Sequence, residues 1–129
     1  MKHLYFAVAL MATIPSMALA QPANIGSTVS GNVLEAPDGR TLYVYDGDKI
    51  DQGQQGKSSC NKKCADRWPP FQAGAGAQPT GDWSIFSRED GLRQWAYKGR
   101  PLYTRARDTG PGQISGNGYE GNSWHLAKP

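Results

Sequence analysis

Few side chains in this sequence are suited to redox, metal or acid–base chemistry. Two thiols, Cys60 and Cys64, lie four residues apart, and after residue 20 the sequence has a single histidine, His125. Imidazole is the side chain that ordinarily titrates near neutral pH, and cysteine thiolates act as nucleophiles and metal ligands. These three residues therefore limit the chemistry that the chain can offer.

The cysteine pair is expected to form a disulfide, because oxidising compartments favour disulfides and the chain carries an export signal, described below. In an ideal helix, residues four apart hold their Cβ atoms about 5–6 Å apart. A disulfide needs roughly 3.5–4.5 Å between them, so we expect a distorted turn or a loop around Cys60 and Cys64. A redox or metal role is the alternative, although neither a C-x-x-C nor a C-x-x-C-H motif is present.

Counting ligands argues against the common metal sites. A blue-copper site uses two histidines and a cysteine, and a structural zinc site uses four Cys or His ligands. After residue 20 the sequence offers one His, two Cys and no Met. Asp46, Asp48 and Asp51 suggest a calcium loop, but no glutamate closes the twelve-residue frame. We therefore predict no metal and no cofactor.

His125 follows Trp124 near the C-terminus and is expected to be a strand histidine bonded to a neighbour, with ligand contact by Trp124 and His125 as the alternative. A Ser-His-Asp catalyst would have to use this histidine, yet no G-x-S-x-G motif accompanies it. The sequence therefore predicts no catalytic residue and a protein that is not an enzyme.

An internal repeat contains the remaining polar candidates. Residues 39–43 read GRTLY and residues 99–103 read GRPLY, with Asp48 and Asp108 each five positions after the tyrosine. Each aspartate lies just past a predicted strand end, so we expect it to accept hydrogen bonds from turn amides and from a tyrosine hydroxyl. Tyr43, Tyr45, Asp48, Tyr103 and Asp108 form a recognition surface in the alternative interpretation.

Short apolar runs between glycines and prolines predict strands and turns rather than a helix bundle. The predicted strands are residues 28–34, 41–45, 83–86, 93–97, 101–104 and 123–126. The sequence therefore predicts a mainly β, single small domain of two related β-hairpin or β-meander units, in which Leu42 and Leu102 are buried together. One short helical turn is expected near residues 60–67, capped by a serine and stopped by Pro69 and Pro70.

The first twenty residues resemble a secretory signal peptide. Lys2 and His3 precede an apolar run over residues 4–14, and Ala18-Leu19-Ala20 has the form of a cleavage site. We expect cleavage after residue 20, a domain over residues 21–129, no membrane anchor after cleavage, and a periplasmic or secreted product. Lys and Arg number 14 against 11 Asp and Glu, interspersed along the chain, so no nucleic-acid partner is expected.

Several motifs occur together in order. They are Y-x-Y-x-x-D over residues 43–48, the two cysteines before A-x-x-W-P-P over 65–70, Q-W-x-Y-x-G-x-P-L-Y over 94–103, and G-x-x-W-H over 121–125. In these motifs the chain resembles the bacterial secreted-repeat family described as predicted lipoproteins with a Y-x-[FWY]-x-x-D motif. The resemblance covers residues 21–129 and implies a family of unknown biochemical function.

The chain departs from the family pattern at two positions. Arg105 stands where an aromatic is expected two residues after Tyr103, and no lipid-acceptor cysteine follows the signal. The repeats are expected over about residues 28–70 and 82–129. We predict a monomeric, non-enzymatic binding or interaction module for an envelope protein or a small ligand. The alternative is a small redox- or metal-associated envelope accessory protein using Cys60, Cys64 and His125.

Overall fold

The computed structural model describes residues 2–11 and 20–129 of the chain. Residues 2–11 contain no helix or strand, and regular structure begins at Asn24. The predicted signal peptide lies partly outside the described residues, since residues 1 and 12–19 are not among them. Within the described residues, no helix is both long enough and apolar enough to cross a membrane.

The regular elements are short strands and two single helical turns. In chain order they are β1 (Asn24–Thr28), β2 (Gly31–Glu35), β3 (Tyr43–Tyr45), α1 (Lys63–Arg67), β4 (Trp83–Ser87), β5 (Arg93–Tyr97), β6 (Arg100–Pro101), α2 (Tyr119–Asn122) and β7 (Trp124–Leu126). This composition confirms the predicted mainly β fold class with one helical turn near Cys60.

Each repeat begins with an antiparallel hairpin, β1–β2 in the first and β4–β5 in the second. A second turn then brings the chain back along the hairpin. In the first repeat the Leu42 N–H donates to the Leu34 carbonyl over 2.9 Å, and in the second the Leu102 N–H donates to the Trp95 carbonyl over 3.1 Å. Both units are therefore three-segment meanders, as expected for related β units.

The prediction of a single strand over residues 28–34 is wrong, because the chain reverses at Val29 and Ser30. Thr28 Oγ1 accepts the Ser30 N–H over 3.1 Å and donates to the Gly31 carbonyl over 2.8 Å. Gly31 has a φ of 95°, which glycine adopts without strain. Local side-chain bonding by a threonine thus outweighs the strand preference of Val29.

Two other predicted boundaries are also corrected. The strand predicted over residues 101–104 is limited to β6, and Tyr103 beyond it forms isolated bridges to Tyr43 and Pro70. The helical turn α1 has no serine cap: its N-cap is Lys62, with φ 53° and no side-chain cap bond. The turn ends at Trp68, directly before the prolines. The turn α2 lies in a glycine-rich stretch for which no helix was predicted.

The turns before the two tyrosines depend on glycine. Gly39 has φ 89° and Gly99 has φ 80°. A Cβ on Gly99 would lie 2.7 Å from the backbone nitrogen of Asp51, and one on Gly39 would lie 2.7 Å from Cγ of Pro111. Glycine alone satisfies both the left-handed backbone and the close approach.

The two repeats exchange their final segments. Strand β3 of the first repeat pairs antiparallel with β7 of the second, with Tyr43 opposite Leu126. In the other half, Tyr103 bridges to Pro70 at the end of the first repeat. The terminal segment of each repeat therefore completes the sheet of the other.

A closed cycle of three backbone hydrogen bonds recurs in both halves. One cycle joins Leu34, Ala127 and Leu42, and the other joins Trp95, Phe71 and Leu102. Between them, Tyr43 and Tyr103 donate their backbone N–H groups to each other's carbonyls over 2.8 and 3.0 Å. The hydrogen-bond pattern thus has approximate two-fold symmetry, with the two tyrosines at its centre.

The core is divided into two apolar clusters, one around Leu42 and Leu102 and the other around Tyr43 and Tyr103. Leu42 and Leu102 are fully buried in one cluster together with Trp83 and Trp95, which confirms that the repeated leucines share a core. The tyrosines pack in the second cluster, which contains Val33, Tyr43, Cys60, Trp68, Tyr103, Trp124 and Leu126. Burial of such aromatic area is a principal source of stability in a small domain with few aliphatic residues.

Candidate functional site

The repeated tyrosines and aspartates meet across the two repeats. The Tyr43 hydroxyl donates to Asp108 Oδ2 over 2.5 Å, and the Tyr103 hydroxyl donates to Asp48 Oδ2 over 2.5 Å. Each tyrosine thus bonds the aspartate of the other repeat. Both carboxylates and both rings are buried, at 1% exposure or less.

Further hydrogen-bond donors bind the second oxygen of each carboxylate. The Ser59 N–H donates to Asp48 Oδ1 over 2.6 Å, and the Ser115 hydroxyl donates to Asp108 Oδ1. The hydroxyl of Tyr43 also accepts the Gly116 N–H over 3.2 Å. Buried carboxylates require such partners, because an unpaired charge in the interior is costly. These groups are therefore satisfied from within the molecule.

Burial also shifts the ionisation of these groups. It raises the pKa of Asp48 above its ordinary value, an effect partly offset by the hydrogen bonds from Tyr103 and Ser59. Burial and the partner aspartates raise the pKa values of Tyr43 and Tyr103 well above the usual 10.0. The tyrosines therefore keep their protons at any physiological pH and act as donors rather than as bases.

A column of aromatic rings runs beside the Tyr–Asp pairs. The rings of Trp68 and Trp124 stack with centroids 3.8 Å apart at an angle of 5°, and Tyr45 stacks on Trp124 at 4.5 Å. Tyr43 and Tyr103 meet Trp68 and Trp124 edge-on, at 5.4 and 5.1 Å respectively. Trp124 is fully buried, so its indole is not on the surface where a ligand would arrive.

The repeats differ at one position of this column. Tyr45 follows Tyr43 by two residues and covers Trp124, whereas Arg105 follows Tyr103 by two residues. The Arg105 guanidinium lies 4.1 Å from the ring centre of Tyr119 and 5.6 Å from that of Trp68. A cation stacked on aromatic rings thus replaces the second tyrosine.

An open cavity of about 450 Å³ lies beside Arg105, and we name it the arginine cavity. Its lining includes Asp66, Arg67, Trp68, Arg105, Arg107, Tyr119 and Glu120. Two of its walls come from α1 and the strained turn α2, where Glu120 has φ 51° and Gly121 has φ 67°. Left-handed non-glycine residues occur often at ligand-binding positions, and the surrounding contacts must hold them there.

The thiols named from the sequence face each other. The sulfurs of Cys60 and Cys64 are 2.08 Å apart, and their Cα atoms are 5.2 Å apart. The left-handed residue Lys62 lies between them and keeps Cys60 outside α1. This break provides the distortion that an ideal helix would need before its i and i+4 cysteines could join.

His125 is placed on β7, where its Nε2 lies 2.8 Å from Asp46 Oδ2 and its side chain is 36% exposed. Cys60 and Cys64 are bonded to each other, and His125 is paired with Asp46 instead. Across residues 2–11 and 20–129, no three His, Cys, Asp or Glu side chains lie close enough to hold a metal ion.

Sequence reasoning missed Arg88, whose side chain is fully buried. It donates to Gln94 Oε1 over 2.7 Å and to the Cys60 carbonyl over 2.9 Å, and it pairs with Asp90. Arg88 thereby ties the β4–β5 hairpin to the disulfide loop. No motif marked it, because a single arginine after a strand is indistinguishable from a solvated one.

Sequence reasoning also missed the arginine cavity, although Arg105 departs from the family pattern. A position-by-position comparison of the repeats, which sets Arg105 against Tyr45, could have pointed to this cavity. Tyr119 and Glu120 gave no such signal, since they lie in a glycine-rich stretch whose backbone path depends on left-handed residues.

A family model described as a secreted repeat of unknown function matches the chain twice, over residues 25–72 and 84–128. The two matches cover most of the chain and confirm the resemblance drawn from the motifs. No curated protein and no solved structure matches this chain.

Proposed function

This chain belongs to the family of secreted repeats of unknown function, and on that premise we propose that it is an exported, non-enzymatic binding module. Its proposed location is the periplasm, after removal of residues 1–20. The basic start, the apolar run and the Ala18-Leu19-Ala20 segment support this location. The proposed binding surface is the arginine cavity.

This proposal rests on a contrast between polar side chains that are bonded within the protein and those that line a cavity open to solvent. The reactive side chains named from the sequence are engaged internally: the tyrosines by aspartates, the thiols by each other, and His125 by Asp46. The arginine cavity, in contrast, opens to solvent and combines charged groups with aromatic walls. Small-molecule sites have this concave form, with a few polar groups that fix orientation.

The binding function is tested with protein purified after export, whose mass also shows whether residues 1–20 are removed. A fragment library of small polar and aromatic compounds is added, and amide shifts are followed by NMR. Hits should move the amides of Arg105, Tyr119 and Glu120. Hits confined to another surface, or turnover of a fragment, would overturn the proposal.

A further inference from the structure

We infer that the arginine cavity takes small organic anions, specifically ring-bearing monocarboxylates, which bind through the free edge of the Arg105 guanidinium. The inference rests on the proposed binding function and specifies the chemical class of its ligand. Four observations carry it: the fixed position of Arg105, its free edge, the charges around it, and the shape of the cavity.

Arg105 is held before any ligand arrives. Its Nη1 donates to the carbonyl and the hydroxyl of Ser115 over 2.7 and 2.8 Å, and a face of the guanidinium lies on Tyr119. Ser115 in turn donates to Asp108, which accepts from Tyr43. The junction between the repeats, formed by the Tyr43–Asp108 and Tyr103–Asp48 pairs, thus fixes the guanidinium. Because the group is already held in place, less conformational entropy is lost on binding.

The other edge of Arg105 has no protein partner in the described part of the chain and reaches solvent, although the residue as a whole is only 8% exposed. Among the described residues, Arg105 makes its side-chain hydrogen bonds through Nη1 alone, which leaves Nε and Nη2 without a protein partner. Neither atom is sealed from solvent, since the one buried unpaired side-chain atom in the described residues is Ser84 Oγ. A guanidinium bonds anions in its plane, so stacking on Tyr119 leaves this edge ready for a carboxylate.

The charges around the cavity favour a single negative charge. Three arginines, at positions 67, 105 and 107, line it with two carboxylates, Asp66 and Glu120. Glu120 accepts from Trp124 Nε1 over 3.2 Å and lies 3.7 Å from Arg67, so it is already engaged. The balance of formal charge is one positive charge, which a monoanion neutralises.

The shape of the cavity favours a ring rather than a bare ion. Its volume of about 450 Å³ is far larger than one carboxylate requires, and Tyr119 is 44% exposed beside it. An aromatic or cyclic body next to the carboxylate would cover this apolar surface. Tyr45, the counterpart of Arg105 in the first repeat, stacks directly on Trp124.

The test titrates the exported protein with benzoate, benzamide and inorganic phosphate, following amide shifts by NMR. Benzoate is expected to bind at least about tenfold more tightly than uncharged benzamide, the factor that one charged hydrogen bond supplies. Phosphate, which lacks a ring, is expected to bind more weakly than benzoate. The Arg105→Gln variant should lose at least about tenfold in benzoate affinity.

Control variants separate folding from binding. Arg40→Gln removes a partly exposed arginine paired with Asp38 and should leave benzoate affinity unchanged. Arg107→Gln alters an exposed residue at the rim and should weaken benzoate binding even if Arg105→Gln does not fold.

Each contrary result has a distinct meaning. Equal affinity for benzoate and benzamide, absence of benzoate binding, or unchanged benzoate affinity in a folded Arg105→Gln variant would overturn the anion inference. If Arg105→Gln does not fold, unchanged affinity in Arg107→Gln would overturn it. Phosphate binding tighter than benzoate would overturn the ring-bearing class. In all of these cases, fragment hits at the arginine cavity would still support the binding module, so the two proposals fail separately.

Discussion

The helical turns α1 and α2 occupy equivalent positions in the two repeats, but different side chains stabilise them. Aligning the exchanged segments 68–71 and 124–127 places Gly116 and Glu120 at the positions of Cys60 and Cys64. The alignment is supported by the N-caps of α1 and α2, Lys62 and Gly118, which are equivalent and have φ of 53° and 79°. The first turn is closed by a disulfide, whereas the second carries Glu120 into the arginine cavity.

Two groups of residues can therefore be told apart: those that hold the two repeats together, and those that occur in one repeat alone. The Tyr–Asp pairs, the backbone cycles and the stacked tryptophans occur on both sides of the junction. Arg105 and Glu120 occur on one side, and both line the arginine cavity. The second repeat thus shares this framework with the first and differs in two side chains that line the arginine cavity.

The largest effect is expected where both repeats contribute equally, at the stacked tryptophans. Trp68→Ala and Trp124→Ala should each lower the free energy of unfolding by about 3–5 kcal/mol, because each leaves a cavity in the fully buried cluster. Urea unfolding measures both losses. Leu92→Ala, at a 38% exposed position, is the control. A loss in one tryptophan variant alone would show that the repeats do not share this column.

The next effect should come from the disulfide, which the first repeat alone contains. Replacing Cys60 and Cys64 together by alanine should cost about 2 kcal/mol on the chain-entropy estimate for so short a loop. Urea unfolding with and without reductant provides the measurement. The reductant should destabilise the natural chain but not the alanine variant. Equal sensitivity of both proteins would contradict a disulfide between these thiols.

Alkaline pH should destabilise both halves through Tyr43 and Tyr103. Their pKa values are raised in the folded state, so above the usual 10.0 the unfolded chain loses its protons first and stability falls as pH rises. Each tyrosine should contribute about 1.4 kcal/mol per pH unit in that range. Tyr43→Phe and Tyr103→Phe should each remove one tyrosine's contribution to the pH dependence of the free energy of unfolding, as measured by urea unfolding at several pH values. Unchanged slopes would contradict the burial of these hydroxyls.

The smallest effect is expected at His125 and Asp46, which have no counterpart across the junction. The aligned positions are Pro69 and Ala106. Both side chains of the pair are more than one-third exposed, so His125→Asn should change stability by about 0.2–1 kcal/mol. Asp46→Asn should have the same effect, and the double variant should add little. A larger loss in thermal unfolding would indicate a further role for the histidine.

Much of the fold could be predicted because the sequence repeats itself. The two units and the shared burial of Leu42 and Leu102 follow from the duplicated phrases, and the mainly β class follows from the short apolar runs between glycines and prolines. The exchange of terminal segments could not be predicted, because period-two alternation gives the faces of a strand and not its partner. The turn at Val29 was missed because the Thr28 side chain overrides strand propensity there.

The candidate site was predictable only in part. Tyr43 and Asp108 are both named from the repeat, but 65 positions separate them in the chain and the sequence does not assign the partner of each tyrosine. The arginine cavity depends on the left-handed turn at Glu120, a non-glycine residue whose backbone is set by its surroundings rather than by its own preference.

The exchange of partners between repeats is tested most directly by double-mutant cycles on Tyr43. The structure predicts a coupling free energy of roughly 0.5–3 kcal/mol between Tyr43→Phe and Asp108→Asn, because these side chains share a buried hydrogen bond. Tyr43→Phe and Asp48→Asn should be additive within about 0.5 kcal/mol, although Asp48 is only five residues away in sequence. Coupling of Tyr43 to Asp48 and not to Asp108 would contradict the exchange on which the fold and the arginine cavity depend.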